Sequence, residues 1–541
     1  MKFIEGQNRE QLVLIPTSLD ALIDSDNEVR TIDLFVDSLD IKDFGFVIKE
    51  STEGRPAFHP KVLLKLFIYG YLNRIRSSRA LEKECNRNIE LMWLLKQLAP
   101  DHNTISNFRK DNAAGIRKVF QATVSIAKYF NLIGGKLIAG DSTKLRAQNS
   151  KKNNFNQGKI VRHLEYINQK IDNYNNELAQ ADGDEDKKKE IAKGILQQKQ
   201  RKLKYELLQA ELDATGQEQI SVSDPDSRQM VLRNTITEVA YNVQTTTDAK
   251  HCIPIDYLVT NNNDSKALSN MIGRACDIIG NTEFTAIFDK GYHKGSELKA
   301  AQVLGIKTLV AIPDISSASM APDPAYNVAE FVYDKRNNIY TCPQGHTLTT
   351  NGNWYKKSNT SNKRKNGNTY LVQHFKTTEC KNCPMVNSCT KNTGGRGRVI
   401  ERSEYQDFVD QNRQNIDQNK AQYKLRQSII EHNYGTIKRQ WNFHFILTKK
   451  GMHRAASDVG FMFVAYNLRR ILNLIDPKVF REYLRTLCLA ILTKIDSLRG
   501  FLTHFKPATC LNMIYCFFLK PTIEFVKSPY LNPKLIVSLN F

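Results

Sequence analysis

The stretch Lys136-Leu-Ile-Ala-Gly-Asp141-Ser-Thr-Lys144 sets a short apolar run against a carboxylate, followed at once by hydroxyl and basic side chains. It predicts a central strand that ends by delivering Asp141 to a site. A sheet holds such a carboxylate more rigidly than a mobile loop, which suits a divalent metal. The plainer alternative is an ordinary strand-end or helix-capping aspartate. Two further acids stand in comparable surroundings: Asp289 closes the apolar run Phe284-Thr-Ala-Ile-Phe, and Glu431 lies in a helical pattern.

Before this strand, residues 55–130 read as helical. Pro60 suits a helix start, and Val62, Leu63, Leu66, Phe67 and Tyr71 recur at helical spacing. Ser78 is placed to cap Arg79–Cys85, Ile89–Leu98 is a second apolar segment, and Asn103 or Thr104 can open the helix bearing Phe108, Arg109 and Lys110. Basic residues at short helices (Arg74, Arg76, Arg79, Arg109, Lys110) fit a DNA-binding helical domain, and equally a plain bundle with a solvated basic face.

After the strand, Ile160, Leu164, Ile167, Ile171, Tyr174 and Leu178 step by four and three, as in a coiled-coil seam. Asp182-Gly-Asp-Glu-Asp interrupts it, and Ile191, Ile195, Leu203 and Leu207 mark a returning helix, so an inserted antiparallel hairpin is expected. Its lysine-rich face can meet DNA or be merely solvated. Strands follow at Glu238–Thr247 and Ile253–Thr260, then a helix with Leu268, Met271, Ile272, Ala275 and Ile279 on one face. The Asp289 strand, a helix from about Ser296 to Leu304 and a last strand at Lys307–Pro313 complete the series. Strand, inserted hairpin, two strands, helix, strand, helix, strand is the ribonuclease-H-like order, an α/β fold with a mixed sheet flanked by helices.

Residues 314–400 break that rhythm. Cys342-Pro-Gln-Gly-His346, a Lys/Asn/Gly-rich loop, Cys380-Lys-Asn-Cys383 and Cys389 offer four thiolates for a tetrahedral zinc, with His346 able to replace one; the alternative is a set of unrelated reduced cysteines. Further on, Tyr423-Lys-Leu-Arg426 leads to Glu431-His-Asn-Tyr-Gly-Thr-Ile-Lys438-Arg439. On a regular helix Glu431 and Lys438 share a face, beside an apolar stripe of Tyr423, Ile430 and Ile437.

Bulk properties bound the class. A chain of 541 residues exceeds one ordinary core, and a formal charge of +21 favours a polyanionic partner through counterion release. Ribosome-associated and membrane-surface proteins share that charge signature. No apolar run reaches the ~18 residues of a membrane helix; Met513–Leu519 is the nearest. The opening Met-Lys-Phe-Ile-Glu-Gly lacks a signal-peptide core, so a cytoplasmic location is expected, and ten cysteines then point to thiols or metal ligands.

Assembled in order, these residues resemble a DDE transposase of a bacterial insertion sequence over residues 30–475. Arg55-Pro-Ala-Phe-His-Pro through Ser77-Ser-Arg-Ala-Leu-Glu, with Pro100-Asp-His-Asn-Thr-Ile-Ser-Asn-Phe-Arg109, is similar to the InsH-type N-terminal domain of that family. Gly140-Asp141-Ser-Thr, Asp224-Pro-Asp-Ser-Arg228, Tyr241-Asn-Val-Gln, Asp289-Lys-Gly-Tyr292, the cysteine cluster and Glu431 through Arg439 recur there in the same order. The resemblance implies that Asp141, Asp289 and Glu431 are the catalytic triad; three such carboxylates suit Mg²⁺ (or Mn²⁺), and the four thiolates of Cys342, Cys380, Cys383 and Cys389 suit a structural Zn²⁺. It implies that Tyr423, Arg426 and Lys438 match the Tyr-Arg-Glu-Lys signature, although here four residues rather than three separate Arg426 from Glu431. DNA contacts are expected from Lys438, Arg439, Arg426, Tyr423, Lys144 and Arg109.

The layout so implied is a helical DNA-binding domain at 1–130, a first catalytic part at 131–313 with the hairpin inserted at 158–216, and a Cys-rich insertion at 314–400. The second catalytic part, with Glu431, spans 401–475, and a tail of unassigned role spans 476–541. The implied activity is metal-dependent cleavage and strand transfer on double-stranded DNA, at transposon ends and target. The active complex would be a homo-oligomer, with no membrane partner, in the bacterial cytoplasm at the nucleoid. Alternatives are a non-catalytic DNA-binding derivative and a structure-specific nuclease.

Overall fold

The computed structural model describes residues 18–46, 56–181, 183–233, 236–315, 317, 319–358, 369–392 and 397–504. Arg55, the Lys/Asn/Gly-rich loop at 359–368 and the tail from 505, including Met513–Leu519, lie outside the described residues.

Among the described residues six α-helices precede the sheet: α1 (Glu28–Asp37), α2 (Pro60–Leu72), α3 (Ser78–Cys85), α4 (Ile89–Leu94), α5 (His102–Asp111) and α6 (Ala113–Tyr129). The starts of α1, α4 and α5 are set by short polar side chains that take the first free amides. Asn27 accepts from the Val29 amide at 2.9 Å, and Asn88 from Glu90 at 3.0 Å. Asp101 accepts from both Asn103 and Thr104, at 2.9 and 3.0 Å, so α5 opens at His102, one residue before Asn103 and two before Thr104. Ser78 is the first residue of α3 and not its cap, since Ser77 holds that position.

Next come β1 (Leu137–Arg146), then β2 (Asn154–Asn156), α7 (Gln157–Gln180), α8 (Glu185–Thr215) and β3 (Gln219–Ser221). The β2–β3 ladder closes the foot of the α7–α8 hairpin. Its inner face buries Ile160, Ile167, Ile191, Leu208 and Leu212. Leu203 and Leu207, expected in the seam, are 58% and 63% exposed. The inward row on α8 runs through Tyr205, Leu208 and Leu212 instead, because Phe155 and Ile220 at the hairpin foot offer apolar surface to that row.

The sheet is completed by β4 (Arg228–Arg233), β5 (Ile236–Asp248), β6 (Ile253–Thr260), β7 (Thr285–Phe288) and β8 (Lys307–Val310), with α9 (Leu268–Ile279) and α10 (Gly295–Val303) as crossovers. Strands run in the order β4-β5-β1-β7-β8, and β6 also pairs with β5. β1 is antiparallel to β5 and β5 to β6, whereas β1, β7 and β8 are mutually parallel neighbours. The free edge of β8 is closed by a side chain: Asn412 accepts from the Val310 amide at 2.9 Å and donates to the Val310 carbonyl at 2.8 Å. One buried amide thus replaces a neighbouring strand.

The remaining elements are β9 (Val332–Asp334), β10 (Ile339–Thr341), β11 (Thr347–Leu348), β12 (Tyr355–Ser358), β13 (Thr369–Phe375), α11 (Val386–Cys389), β14 (Ile400–Ser403), α12 (Gln406–Gln418), α13 (Lys420–Tyr434), α14 (Met452–Leu474) and α15 (Pro477–His504). Residues alternate between the two faces of the sheet. Ile138, Ala286, Phe288 and Val310 join a large core with α6, α9 and α14, while Ala139, Ile287 and Leu309 pack against Ile429 and Ile430 of α13.

The large core runs without a break from Ile23 to Leu484, so α1–α6 share it with the sheet and α14. A buried ion cluster reinforces that union. Arg76 meets Asp458 of α14 at 2.7 Å, Tyr71 donates to the same carboxylate, and the Leu447 amide does so at 2.7 Å. Arg109 donates to the Arg76 carbonyl at 2.8 Å.

Candidate active site

Asp141 lies in the middle of β1 rather than at its end. Pairing with β7 stops at Ala139, while pairing with β5 continues to Arg146. The strand outlasts its parallel neighbour because β5 supplies a 13-residue partner along its other edge. The expected strand end is therefore the end of the parallel ladder. Ala139 faces Ile287 across that ladder, so two residues further on Asp141 stands beside Asp289, on the same face. Gly140 makes the approach possible: a Cβ there would lie 2.0 Å from the Phe288 ring.

Asp289 leaves β7 and caps the turn Lys290–Tyr292, its Oδ1 accepting from the Gly291 amide at 2.9 Å. Burial pushes the Asp141 carboxyl up to about 6, and the neighbouring Asp289 charge adds to the rise. The Ser142 amide, at 2.7 Å, and Arg426 pull the other way. Arg426 of α13 donates to Asp141 Oδ2 at 2.9 Å. Two like charges held together under partial burial, and compensated by a guanidinium, have the electrostatics of a cation site.

Asp264, which sequence reasoning missed, sits at the same place. It accepts from Lys144 at 3.0 Å and from Asn242 at 2.7 Å, and a Cβ on Gly291 would lie 3.0 Å from Asp289 Oδ1 and 3.8 Å from Asp264 Oδ2. Its signal was slight, a single acid in the polar run Asn261-Asn-Asn-Asp264 after β6. Tyr292 and Tyr434 pack beside these carboxylates. Burial first, then the nearby Asp264 and Asp141 charges, push both phenols well above their ordinary value. Tyr434 also donates to the Asp141 carbonyl at 3.1 Å.

Glu431 is on α13 but exposed, its Oε1 accepting from Gln427 at 2.9 Å. Among the described residues no three His, Cys, Asp or Glu side chains are drawn to metal-ligand spacing. Nor do Glu431 and Lys438 share a regular helical face. After Tyr434 the backbone widens into a π-helical turn, Gly435–Gln440, which rotates the later residues. Lys438 turns back onto β1 and donates to Thr143 Oγ1 at 2.9 Å, while Arg439 is exposed. The expected apolar stripe divides likewise: Tyr423 and Ile430 join the smaller sheet-face cluster and Ile437 the larger core.

Of the expected DNA contacts, Lys144 is engaged with Asp264 and Arg426 with Asp141. Arg109 is 5% exposed within the Asp458 cluster and does not present itself to a phosphate, because folding gave its charge a buried partner instead.

The cysteines converge at a second place. Cys342, Cys380, Cys383 and Cys389 line one cavity of ≈ 20 Å³ with His346 and Arg398. Burial raises the Cys389 thiol; Arg398 opposes this, and the other three cysteines add to it.

Comparison with known proteins follows the same division. Residues 17–111 match the family model described as transposase domain (DUF772), and residues 341–472 match the transposase DDE domain. The second match includes Glu431 and Lys438, whereas Asp141 and Asp289 fall between the two. No curated protein matches the chain. Among solved structures, the cryo-EM piggyBac transposase synaptic complex with hairpin DNA aligns over 94% of this chain and 88% of that chain, at 10% identity and a TM-score of 0.27. A likeness of that size carries no argument. No helix among the described residues is long and apolar enough to cross a membrane.

Proposed function

We propose, for a chain that its two matched domains place among the DDE transposases of insertion sequences, that Asp141, Asp289 and Glu431 form a metal-dependent site for cutting and joining double-stranded DNA. The observation that carries this reading is the pairing of Asp141 with Asp289 where the β1–β7 ladder ends, under the helix that bears Glu431. The strand order, with β5, β1, β7 and β8 in these directions, supports the ribonuclease-H-like reading.

The donor set fits a hard divalent cation, Mg²⁺ or Mn²⁺, since every ligand is an oxygen. Asp141 and Asp289 would hold it, with Glu431 the third ligand. When bound, such ions activate a water or 3′-hydroxyl and stabilise the leaving oxygen of a phosphodiester. The chain's own residues do the positioning. Arg426 keeps the Asp141 carboxylate in place, and Tyr434 fixes the β1 backbone beneath it. Arg439, exposed on the π-helical turn, supplies positive charge for the phosphates flanking the cut, while Lys438 braces β1 through Thr143.

The test is cleavage of duplex DNA bearing the element's terminal sequences, with strand transfer to a target plasmid. Loss of cleavage with retained binding in Asp141→Ala, Asp289→Ala and Glu431→Ala is the expected result. Cleavage by a variant removes that residue from the site, and binding without cleavage by the unaltered protein would make the chain a DNA-binding derivative.

A further inference from the structure

The module from Phe331 to Ser403 has little to hold it together. Among its described residues the buried apolar side chains are Phe331, Tyr340, Leu348, Val372, Phe375 and Ile400, the last five on short strands of two to seven residues. A segment so poor in core folds on a staple or a metal. The four cysteines that line its cavity are free thiols, so no disulfide supplies the staple.

We propose that Cys342, Cys380, Cys383 and Cys389 bind one structural Zn²⁺ as thiolates. Three features of their surroundings fit a tetrathiolate site. The first is the tight turn Cys342–His346: Gly345, at φ +80°, lets its amide reach the Cys342 carbonyl at 2.8 Å, and this aims the His346 amide at Cys342 Sγ, at 3.3 Å. An N–H donor to sulfur stabilises the thiolate over the thiol. The second is Gly397, at φ +67°, where a Cβ would lie 2.3 Å from Cys380 Cβ and 3.1 Å from its Sγ; the chain passes too close to that cysteine for any side chain. The third is Arg398, which lines the cavity. One guanidinium nitrogen donates to the Cys389 carbonyl at 3.0 Å, while its buried Nε has no hydrogen-bond partner among the described residues. Four thiolates around Zn²⁺ carry a net charge of −2, and Arg398 is the cation placed to offset it.

Four protein thiolates would fill a tetrahedral shell and leave no open position for a substrate, which makes the site structural. Binding would draw the sulfurs in to about 2.3 Å from the metal. The consequence reaches the DNA-cutting site through β14, which runs into α12. Arg402 of β14 pairs with Asp407 and, at 3.1 Å, with Asp410 on that helix, which in turn closes the β8 edge. The proposal does not depend on DNA cleavage, and its test reads metal alone.

Full-length protein purified without chelator should contain about one zinc per chain. Exchange of that zinc for Co²⁺ should give the intense visible bands of a tetrahedral thiolate complex. Cys383→Ser should lose the metal, and Cys252→Ser, outside the cluster, should keep it. Should Cys383→Ser not fold, the cobalt spectrum of the unaltered protein decides alone. Zinc-free protein with all four thiols open to alkylation, or cobalt bands of an octahedral oxygen site, would overturn the proposal. An active protein free of zinc would leave the proposed transposase reading intact while sinking this one.

Discussion

Arg426 on α13 donates a 2.9 Å hydrogen bond to Asp141 on β1, so the acid beside Asp289 already has a cationic partner before any metal arrives. Both side chains are about one-fifth exposed, a degree of burial at which losing one partner leaves the other poorly solvated. Arg426→Ala is expected to lower stability by ~1–3 kcal/mol. Asp141→Asn should cost less in the Arg426→Ala background than alone. Urea unfolding of the two single variants and the double variant measures this, and strictly additive effects would mean that the pair does not interact.

Asp458 gives the pH dependence. Burial raises its carboxyl, but the Arg76 and Arg109 guanidiniums outweigh that and leave it below the ordinary value. A carboxyl depressed in the folded state contributes stability that is present above its unfolded value, ~3.9, and is lost as pH falls through the folded value. Asp458→Asn should therefore destabilise the protein by ~3–5 kcal/mol at neutral pH, stranding two buried arginines. The penalty should shrink in acid. Denaturant midpoints at pH 7 and below pH 4 provide the check, and an equal penalty at both would contradict the ionised cluster.

Asn412→Ala removes both hydrogen bonds that close the β8 edge and leaves the Val310 amide and carbonyl buried without partners. A loss of ~1–3 kcal/mol per unsatisfied group is expected. Hydrogen exchange at the Val310 amide should accelerate more than exchange at Ile138, in the strand two places inward. Unchanged protection at Val310 would show that another group covers the edge.

Much of this was legible in the sequence. Strands at Asp141 and Asp289 announced themselves as apolar runs closed by an acid, and the α7–α8 hairpin as two periodic segments around an acidic break. What sequence periodicity could not supply was which partner each residue would find. Arg109 reads as a surface cation because its buried partner, Asp458, is 349 positions away in the chain. Leu203 and Leu207 are four apart, as Leu208 and Leu212 are, but counted in sevens from the buried Ile191 the register falls on Tyr205 and Leu212, the row that meets the apolar foot of the hairpin. The π-helical turn after Tyr434 is invisible to a rule of 3.6 residues per turn, and it undid the shared face of Glu431 and Lys438. Asp264 was missed because a lone acid in a polar loop gives no pattern until the fold brings Gly291 and Lys144 to it.

That same turn separates the roles of two adjacent cations. Lys438 is tied to Thr143 on β1, whereas Arg439 is exposed. Arg439→Ala should reduce the slope of log affinity for DNA against log salt by about one unit. Lys438→Ala should change that slope less and disturb the β1 site more, slowing cleavage. Salt titrations of both variants on one duplex separate them, and equal slopes would refute the division.

The central claim is that Asp141 and Asp289, with Glu431, hold the metal that cuts DNA. The most direct measurement is nicking and cleavage of a plasmid carrying the element's terminal sequences, in Mg²⁺ or Mn²⁺, by the unaltered protein and by Asp289→Asn. The account predicts metal-dependent cleavage by the former and none by the latter, at equal DNA affinity. Cleavage by Asp289→Asn at the unaltered rate would contradict it.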